Sequence, residues 1–263
     1  MKCLLLSDLH YALPQFDWAL AQAAKFDLVV IAGDHLDISG HVDCRAQTTV
    51  ILAYLRRLKA RVPRLIVSSG NHDLDSVNAA GEKVPRWMER VRAMGIPTDG
   101  DSVPIGDALF TVCPWWDGPV TRAAVGRQLA ADAAKEKRRW VWVYHAPPAG
   151  SPTCRVGDRL AGDADLVAWI EAFQPDMVLT GHIHEAPFAR GGSWIDRIGR
   201  TWVFNAGRQI GPEPCHVVWD TDEDIAMWFS LMGAETIRLD APLVRPLAAL
   251  TALPGWLRDR PQA

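Results

Sequence analysis

The sequence repeats one pattern along its length: a short apolar run is followed directly by a cluster of polar residues. Apolar runs of this kind lie at residues 2–6, 27–32 and 64–68. Stretches with apolar residues at helical spacing separate them, at residues 15–26, 42–60 and 84–94. Short apolar runs bounded by turn residues are typical of buried strands, and strands that alternate with helices indicate a sheet covered by helices.

The second half of the chain repeats the pattern and then changes character. Apolar runs at residues 108–112, 140–144 and 176–180 alternate with helical stretches at residues 122–139 and 160–173. Three β-like runs then follow each other closely and favour antiparallel pairing, at residues 201–204, 216–220 and 225–230. We therefore predict a mixed α/β (α+β) fold in which two sheets form a β-sandwich flanked by helices.

Length and the proline-rich end of the chain set the domain prediction. The chain has 263 residues, and a domain takes roughly 150 residues, so one large domain or two small ones are allowed. The tail from Leu239 is punctuated by prolines. We assign residues 1–238 to one domain and expect residues 239–263 to pack as a tail on that domain or on a partner subunit.

Composition and charge exclude several classes of protein. Hydrophobic residues make up 49% and charged residues 22% of the chain, a balance typical of globular proteins and not of disordered ones. The net charge of −3 argues against long nucleic acid as a partner, although it does not exclude a local basic patch. No apolar run approaches the roughly 18 residues of a membrane span. The N-terminal apolar stretch is too short for a signal peptide, so we predict a cytoplasmic protein.

Five polar segments, each placed directly after a predicted strand, contain the residues suited to chemistry. They are Asp8-Leu9-His10, Gly33-Asp34, Gly70-Asn71-His72-Asp73, His145 and Gly181-His182-Ile183-His184. In open α/β folds ligands bind at the carboxyl ends of strands, so these segments are expected to meet at one edge. Residues two apart in extended backbone point to the same side, so each D-x-H or H-x-H pair should direct two ligands toward one site.

The donor types predict a centre with two divalent metal ions. The candidate ligands supply carboxylate, imidazole and amide groups and no thiolate: Asp8, His10, Asp34, Asn71, His145, His182 and His184. Seven side chains are too many for one ion that must also hold water, whereas they suit two ions bridged by one carboxylate, best Asp34. Such donor sets accept Mn²⁺, our first expectation, and also Fe, Zn, Ni or Co. Two ions about 3.5–4 Å apart would hold a bridging hydroxide and stabilise in-line displacement at phosphorus.

These motifs, D-x-H, G-D, G-N-H-D, a lone His and G-H-x-H in this order, resemble those of the calcineurin-like metallophosphoesterase family. They extend from Asp8 to His184. The resemblance implies a four-layer fold with metals at the strand ends, and a metal-dependent hydrolase of phosphoric esters. It also implies one metal held by Asp8, His10, Asp34 and His184, and a second held by Asp34, Asn71, His145 and His182.

His72 lies between Asn71 and Asp73 and is assigned a separate role. In the family that the chain resembles, this position faces the substrate and acts as a general acid or binds phosphate. An imidazole with a pKa of about 6.5 suits proton transfer at neutral pH. We therefore predict His72 as the general acid, with the carboxylate of Asp73 orienting its ring and raising its pKa; the alternative for His72 is a structural loop residue.

Other residues near the motifs are open to two interpretations. Arg208 follows a late Asn-x-Gly turn and is a candidate contact for substrate phosphate. Trp115 and Trp116 are expected to pack beneath a loop, with stacking on a base or a lipid group of the substrate as the alternative. His35 is expected to be a solvated loop residue, with a place on the rim of the site as the alternative.

The predicted function is hydrolysis of a small phosphodiester by the metal-bridging hydroxide. The stretches between motifs are short and show no inserted cap domain, which favours an open site that passes the second arm of a diester. The near-neutral charge favours a small phosphate-ester substrate such as a cyclic nucleotide. Alternatives are a phosphomonoesterase, a nucleotide or lipid pyrophosphate hydrolase and, outside enzymes, a metal-binding interaction module with little catalysis.

Overall fold

Two β-sheets packed face to face form the centre of the fold, and α-helices cover both outer faces. The structure, a computed structural model, describes residues 1–258. Its four layers, helices, sheet, sheet and helices, confirm the predicted mixed α/β sandwich flanked by helices.

The element bounds follow the alternation seen in the sequence. The strands of the described residues are β1 (Lys2–Leu6), β2 (Leu28–Ala32), β3 (Arg64–Ser68), β4 (Ser76–Val77), β5 (Lys83–Val84), β6 (Ser102–Ile105), β7 (Ala108–Val112), β8 (Arg139–Val143), β9 (Arg155–Val156), β10 (Arg159–Leu160), β11 (Met177–Thr180), β12 (Ile195–Ile198), β13 (Thr201–Asn205), β14 (His216–Asp220), β15 (Ile225–Ser230), β16 (Gly233–Arg238) and β17 (Ala248–Ala249). The helices are α1 (Leu13–Gln22), α2 (Cys44–Lys59), α3 (Met88–Ala93), α4 (Pro119–Ala133), α5 (Ala164–Phe173) and α6 (Gly255–Arg258). Over residues 1–258, none of these helices has the length and apolar character needed to cross a membrane.

Each sheet contains a block of parallel strands, which lies at one end of the first sheet and at the centre of the second. The first has the strand order β17-β16-β15-β14-β1-β2-β3, in which β1, β2 and β3 are mutually parallel. The second has the order β12-β13-β11-β8-β7-β6, in which β13, β11, β8 and β7 are parallel and the two edge strands antiparallel. The parallel strands matter for function because their carboxyl ends open on the same edge of the sandwich.

Side-chain alternation along β1 explains why both faces of the first sheet are covered. Leu4 and Leu6 pack with residues of α1, α2 and α3, whereas Cys3 and Leu5 pack between the sheets against a cluster that includes Phe110. A strand buried on both faces needs apolar residues at every position, which is why β1 reads as a continuous apolar run. Helices α4 and α5 cover the outer face of the second sheet.

Helix ends differ from the predicted ones where local bonding overrides apolar periodicity. Helix α5 begins at Ala164 and not at residue 160, because Oδ1 of Asp163 accepts the N–H groups of the first turn, at 2.8 and 3.2 Å. Helix α4 occupies Pro119–Ala133 instead of residues 122–139, since a glycine and a proline start it early. The helix predicted at residues 84–94 is confined to α3, because β5 pairs with β4.

Among the strands longer than two residues, three were not predicted, namely β6, β12 and β16; the two-residue strands β4, β5, β9, β10 and β17 were not predicted either. Strands β6 and β12 are the two edges of the second sheet, and β16 lies between β15 and the two-residue strand β17, which is the edge of the first. Edge strands are partly exposed and therefore carry polar residues or proline, as Pro104 in β6 and Asp196 in β12 illustrate. Their sequences lack the apolar run on which the prediction depended.

The described part of the tail, residues 239–258, packs on residues of the main domain. Strand β17 pairs with β16. The ring centroids of Trp256 and Phe26 lie 5.9 Å apart, and Nζ of Lys2 lies 4.6 Å from the centroid of the Trp256 ring. Nζ of Lys25 donates to the carbonyl oxygen of Leu257 at 3.0 Å. The remaining tail residues, 259–263, lie outside the described residues.

The variant Trp256→Ala tests whether the tail contributes to folding. Losing a partly buried indole and its contacts with Phe26 and Lys2 is expected to lower the free energy of unfolding by about 1–2 kcal/mol, measured by urea denaturation. Leu253→Ala is the matched control, because Leu253 is 39% exposed in the same tail, and should change stability by less than about 0.5 kcal/mol. Equal denaturation midpoints for both variants would contradict a stabilising role for Trp256.

Candidate metal centre

Five parallel strands bring the candidate ligands to one edge of the sandwich. Strands β1, β2 and β3 of the first sheet are followed by Asp8 and His10, by Asp34, and by Asn71. Strands β8 and β11 of the second sheet are followed by the three remaining histidines: His145, His182 and His184. The structure therefore brings together all seven side chains that the sequence singled out as ligands.

One group of ligand atoms is formed by Asp8, His10, Asp34 and His184, whose donor atoms lie within 4.8 Å of one another. Nε2 of His10 lies 3.0 Å from Nε2 of His184 and 3.5 Å from Oδ2 of Asp34. Nε2 of His184 lies 3.4 Å from Oδ1 of Asp8. Two imidazole nitrogens and two carboxylates so close together can share a divalent cation.

A second group is formed by Asp34, His145 and His182, again with donor atoms within 4.8 Å of one another. Nε2 of His145 lies 3.2 Å from Oδ2 of Asp34. Oδ1 of Asn71 lies 2.8 Å from Nδ1 of His182 and so joins this group. Asp34 belongs to both groups, which is the position that a bridging carboxylate would occupy.

The bonding of His145 tests whether the residues fit a metal. Its Nδ1 lies 2.7 Å from the carbonyl oxygen of Ala32, to which it donates, so that in the neutral ring, the form that binds a metal, Nε2 has the free lone pair. That Nε2 is buried, has no hydrogen-bond partner among the described residues and faces the Asp34 carboxylate. An imidazole held in this tautomer by a backbone carbonyl is the usual arrangement of a metal-bound histidine. The donor set therefore fits a metal.

The pKa values of the histidines in the site also indicate that it suits a cation. Burial lowers the pKa of His10 and of His182 to about 4, so both rings are neutral and free to bind a cation at pH 7. Burial also disfavours a charged His145, but the Asp34 carboxylate outweighs it and raises the pKa of His145 to about 9. The buried carboxylates thus attract positive charge strongly.

The carboxylates themselves stay ionised despite burial. Burial would raise the pKa of Asp8 and of Asp34, but neighbouring imidazoles lower both below the usual value of 3.8. For Asp8 the main opposing group is His184, and for Asp34 it is His145. Two ionised carboxylates in a nearly dry site are what a pair of divalent ions needs for charge compensation.

Left-handed backbone, and not extended backbone, directs the ligands. The φ angles are 55° at Asp8, 40° at His10, 55° at Asp34 and 67° at His182. The expectation that D-x-H and H-x-H pairs converge because the chain is extended is therefore wrong. Each such conformation costs about 1–3 kcal/mol for a residue other than glycine, and such strain is concentrated at functional sites.

Two glycines let the ligand loops approach each other. A Cβ atom at Gly70 would lie 2.2 Å from Oδ1 of Asp34 and 2.7 Å from Nε2 of His145. A Cβ atom at Gly181 would lie 2.4 Å from Oδ2 of Asp8. Both glycines are thus required by close packing around the carboxylates, beyond any role in a turn.

His72 lies at the rim of the site. Its ring stands nearly perpendicular to that of His10, with centroids 4.4 Å apart, and its backbone N–H donates to Oδ1 of Asp34 at 2.8 Å. Its Nδ1 accepts the N–H of Ile38 at 3.3 Å. In the neutral ring the proton is therefore on Nε2.

The expectation that Asp73 orients the ring of His72 is wrong. Asp73 is fully buried and its oxygens accept the N–H groups of His35 and Leu36, each at 3.1 Å, and that of Gly70 at 2.9 Å. Its Oδ2 also lies 3.1 Å from Nδ1 of His35. Asp73 therefore ties the loop after β2 to the loop after β3, and His35, expected to be solvated, is buried against it.

Sequence reasoning missed Asp37. One of its carboxylate oxygens lies with ring nitrogens of His10 and His72 in a third group, all within 4.8 Å of one another. Its Oδ1 accepts the N–H and the hydroxyl of Ser39. The available signal was its place three residues after Asp34, in the same loop.

The loop after β7 and a late turn also reach the site. The Trp115 ring lies 5.2 Å from the His182 ring and 5.7 Å from the His145 ring, between centroids. Trp115 therefore lines the site, although packing beneath a loop was expected. Arg208 is half-buried, and its N–H donates to the carbonyl oxygen of His184 at 3.0 Å.

A cleft of about 520 Å³ opens beside the ligand groups on the side of the second sheet. We call it the tryptophan cleft; it is lined by Trp115, Trp116, Asp117, Ala146, His182 and residues 161–165. Because His182 belongs to both the cleft and the second ligand group, the cleft adjoins that group. A molecule bound at the ligand groups can therefore extend into the cleft.

Asp99 supports the loop that carries Asn71. Its Oδ1 accepts the N–H of Ser69 at 2.8 Å, while its Oδ2 is buried without a hydrogen-bond partner. Burial raises the pKa of Asp99 from the usual 3.8 to about 7, against the opposing effect of Ser69. This carboxyl is thus held in a place that favours its protonated form.

Comparison with known proteins places the geometry in context. The sequence profile of the calcineurin-like phosphoesterase family matches residues 1–186, which contain every candidate ligand. No curated protein matches the sequence. Among solved structures, the protein TT1561 of Thermus thermophilus is similar with a TM-score of 0.58 and 14% identity, over 90% of this chain and 98% of that one.

Two further structures share the fold. Phosphopantetheinyl hydrolase from Mycobacterium tuberculosis has a TM-score of 0.56 and 14% identity, over 78% of this chain and 88% of that one. Purple acid phosphatase PPD1 from yellow lupin seeds has a TM-score of 0.56 and 12% identity, over 94% of this chain and 53% of that one. At such identities the likeness concerns the fold.

Asp99 predicts an unusual dependence of stability on pH. Between its usual pKa of 3.8 and its raised pKa of about 7, the folded state keeps a proton that the unfolded state has lost. The free energy of unfolding should therefore fall as pH rises through this window, by at most about 1.4 kcal/mol per pH unit for one proton. Chemical denaturation of the metal-free protein from pH 4 to 8 measures this, with Asp99→Asn as the variant that removes the titration.

The informative quantity is the difference in stability between the wild type and Asp99→Asn at each pH. It should favour the variant increasingly toward pH 8. The control is Asp107→Asn, because Asp107 is exposed in the turn between β6 and β7, away from the ligand edge. If the difference for Asp99→Asn were as flat with pH as that for Asp107→Asn, the raised pKa would be refuted.

Proposed function

We propose that this chain, which belongs to the calcineurin-like phosphoesterase family, hydrolyses a small phosphodiester at the centre formed by the two ligand groups. Membership of that family makes it a metal-dependent hydrolase of phosphoric esters. The diester as substrate is our inference, and the tryptophan cleft carries it. The cleft adjoins the second ligand group at His182, and its volume is large enough for the second arm of a diester.

We assign two divalent ions to the site, with Mn²⁺ as the metal expected from the donor set. The first ion is assigned to the group Asp8, His10, Asp34 and His184, and the second to Asp34, Asn71, His145 and His182. When bound, the ions supply Lewis acidity, which lowers the pKa of water and compensates charge on the phosphoryl oxygens.

His72 is the proposed general acid. The N–H of Ile38 donates to its Nδ1, so Nε2 carries the proton of the neutral ring. The ring packs against His10, which places His72 beside the first ligand group. In the proposed reaction the ring acts as the imidazolium, which gives its Nε2 proton to the leaving alkoxide and becomes neutral with the remaining proton on Nδ1. Protonation of Nδ1 requires that its hydrogen bond from the N–H of Ile38 opens.

Two other groups support the reaction in this proposal. Asp73 acts as a positioning residue, because it ties together the loops that carry Asp34 and Asn71. Arg208 is proposed to contact a phosphoryl oxygen, since its backbone is bonded to His184 and its charge is opposite to that of the ester.

The first test compares two chromogenic esters in the presence of Mn²⁺. Bis-p-nitrophenyl phosphate, a diester, should be hydrolysed with a kcat/KM at least about tenfold above that of p-nitrophenyl phosphate, because the cleft accommodates its second arm. Asp34→Asn should lower turnover of the diester by at least about 100-fold and reduce the bound metal measured by elemental analysis. Asp107→Asn is the matched control and should retain both.

Three other results would change the proposal. A preference for the monoester would keep the metal-dependent hydrolase and overturn the diester. Turnover unaffected by Asp34→Asn would overturn the assignment of the bridging carboxylate. Binding of metal with no turnover of either ester would favour the interaction module considered from the sequence.

The role of His72 predicts a dependence on the leaving group. His72→Gln should lower hydrolysis of a diester with an alkyl leaving group by about 100-fold or more, because an alkoxide needs a proton in order to depart. The same variant should lower release of p-nitrophenolate, a stable anion, by less than about tenfold. Equal losses with both leaving groups, measured at saturating Mn²⁺, would show that His72 is not the general acid.

A further inference from the structure

The tryptophan cleft combines two indole rings with carboxylates. Its lining includes Trp115 and Trp116 together with Asp117, Asp163 and Asp165. Among the described residues that line it, none is a lysine or an arginine. Aromatic faces and carboxylates both attract positive charge, so the cleft differs in character from the adjacent ligand groups, which would attract the phosphate.

A hydrogen-bond chain fixes one wall of the cleft. Nε1 of Trp116 donates to the hydroxyl of Tyr144 at 2.6 Å, and that hydroxyl donates to Oδ2 of Asp163. Oδ1 of Asp163 accepts the N–H groups of Asp165 and Leu166 and so caps helix α5. The indole of Trp116 is thus held in place before any substrate binds.

The other wall connects the cleft to the ligand groups. The N–H of Trp115 donates to Oγ of Ser69 at 2.9 Å, which attaches the loop after β7 to the end of β3. The Trp115 ring also packs 5.2 Å from the ring of His182. A group seated against Trp115 therefore lies beside the place where a phosphoryl group would bind.

The charges at the cleft do not cancel. Asp165 forms an ion pair with Nη2 of Arg122 at 3.0 Å. Asp163 and Asp117 receive hydrogen bonds from neutral donors, the hydroxyl of Tyr144 and the N–H of Lys83. Within residues 1–258 these two carboxylates form no ion pair, so a second phosphate or a carboxylate on the substrate would be repelled beside the indoles.

We propose that the tryptophan cleft binds a small ammonium group carried by the second arm of the phosphodiester substrate. This inference rests on the proposed phosphodiesterase function and names its substrate class. A quaternary or primary ammonium on a short alkyl arm presents positive charge to the faces of the indoles and to Asp117. The phosphate at the ligand groups and the ammonium in the cleft then match two neighbouring sites of opposite charge.

Two probes that differ only in charge test the proposal. One is p-nitrophenyl phosphocholine, and the other is 3,3-dimethylbutyl p-nitrophenyl phosphate, in which carbon replaces the ammonium nitrogen. In both, the oxygen of water forms a bond to phosphorus and the bond to p-nitrophenolate breaks, so the second product is the phosphate monoester of the arm. The choline probe is expected to have a KM at least about tenfold lower at similar kcat, because the cation interacts with the cleft before and during the reaction.

Variants of the cleft assign the preference to its residues. Asp117→Asn and Trp116→Leu should each reduce the ratio of the two KM values to below about threefold, whereas Trp116→Phe keeps an aromatic face and should preserve most of the ratio. Glu136→Gln removes the same charge as Asp117→Asn from an exposed turn at the opposite end of β8, and should leave the ratio unchanged. Thermal unfolding of each variant checks that it is folded.

The outcomes separate the inference from the function on which it rests. Equal KM values for the two probes, or a ratio unaffected by both Asp117→Asn and Trp116→Leu, overturn the ammonium site and leave the phosphodiesterase intact. No turnover of either probe or of bis-p-nitrophenyl phosphate overturns both. A KM ratio that falls in the cleft variants and persists in Glu136→Gln supports the proposal.

Discussion

The buried carboxylate of Asp34 is the group around which the rest of the site is arranged. It is within 3.5 Å of ring nitrogens from both sheets, those of His10 and His145, and it accepts the N–H of His72. Gly70 has no room for a side chain because Asp34 occupies that space. An ionised carboxylate in so dry a place needs compensating positive charge, so the loops around it supply donors and leave ligand atoms that a cation can bind.

The ligand arrangement around Asp34 depends on strained backbone at some of the candidate ligands and on hydrogen bonds between the loops that carry them. Four candidate ligands have left-handed backbone, which is unfavourable for residues other than glycine. The hydrogen bonds from His10 N–H to the carbonyl of Asp34, and from loop N–H groups to the fully buried Asp73, offset this strain. Asp73 therefore matters for the shape of the site, although it makes no contact of the kind predicted with the ring of His72.

The sequence predicted the buried strands, which depend on apolar periodicity, and the candidate ligands, which depend on donor type. It did not predict features that depend on tertiary contacts. Continuous apolar runs such as β1 identified the buried strands, and the polar residues at their ends are the seven candidate ligands that the structure brings together. The strands at or next to the exposed edges of the sheets carried no such run, so β6, β12 and β16 were missed. The partner of Asp73 could not be read from the chain either, because His35 lies far from it in sequence and meets it only when two loops are brought together by parallel strands.

Because the tryptophan cleft lies on the side of the second sheet, the two sheets contribute differently to the site. The first sheet contributes ligands alone, whereas the loops after β7 and β8 and the start of α5, all on the second sheet, build the cleft as well. A substrate with charges of both signs would be oriented across this boundary, since its phosphate is attracted to the cations and its ammonium to the indoles and carboxylates. Orientation of this kind acts before the chemical step, because it reduces the number of ways in which a flexible diester can enter the site. Changes in the cleft loops can therefore alter which ester is accepted while the carboxylate at the centre, and the strands that position it, stay the same.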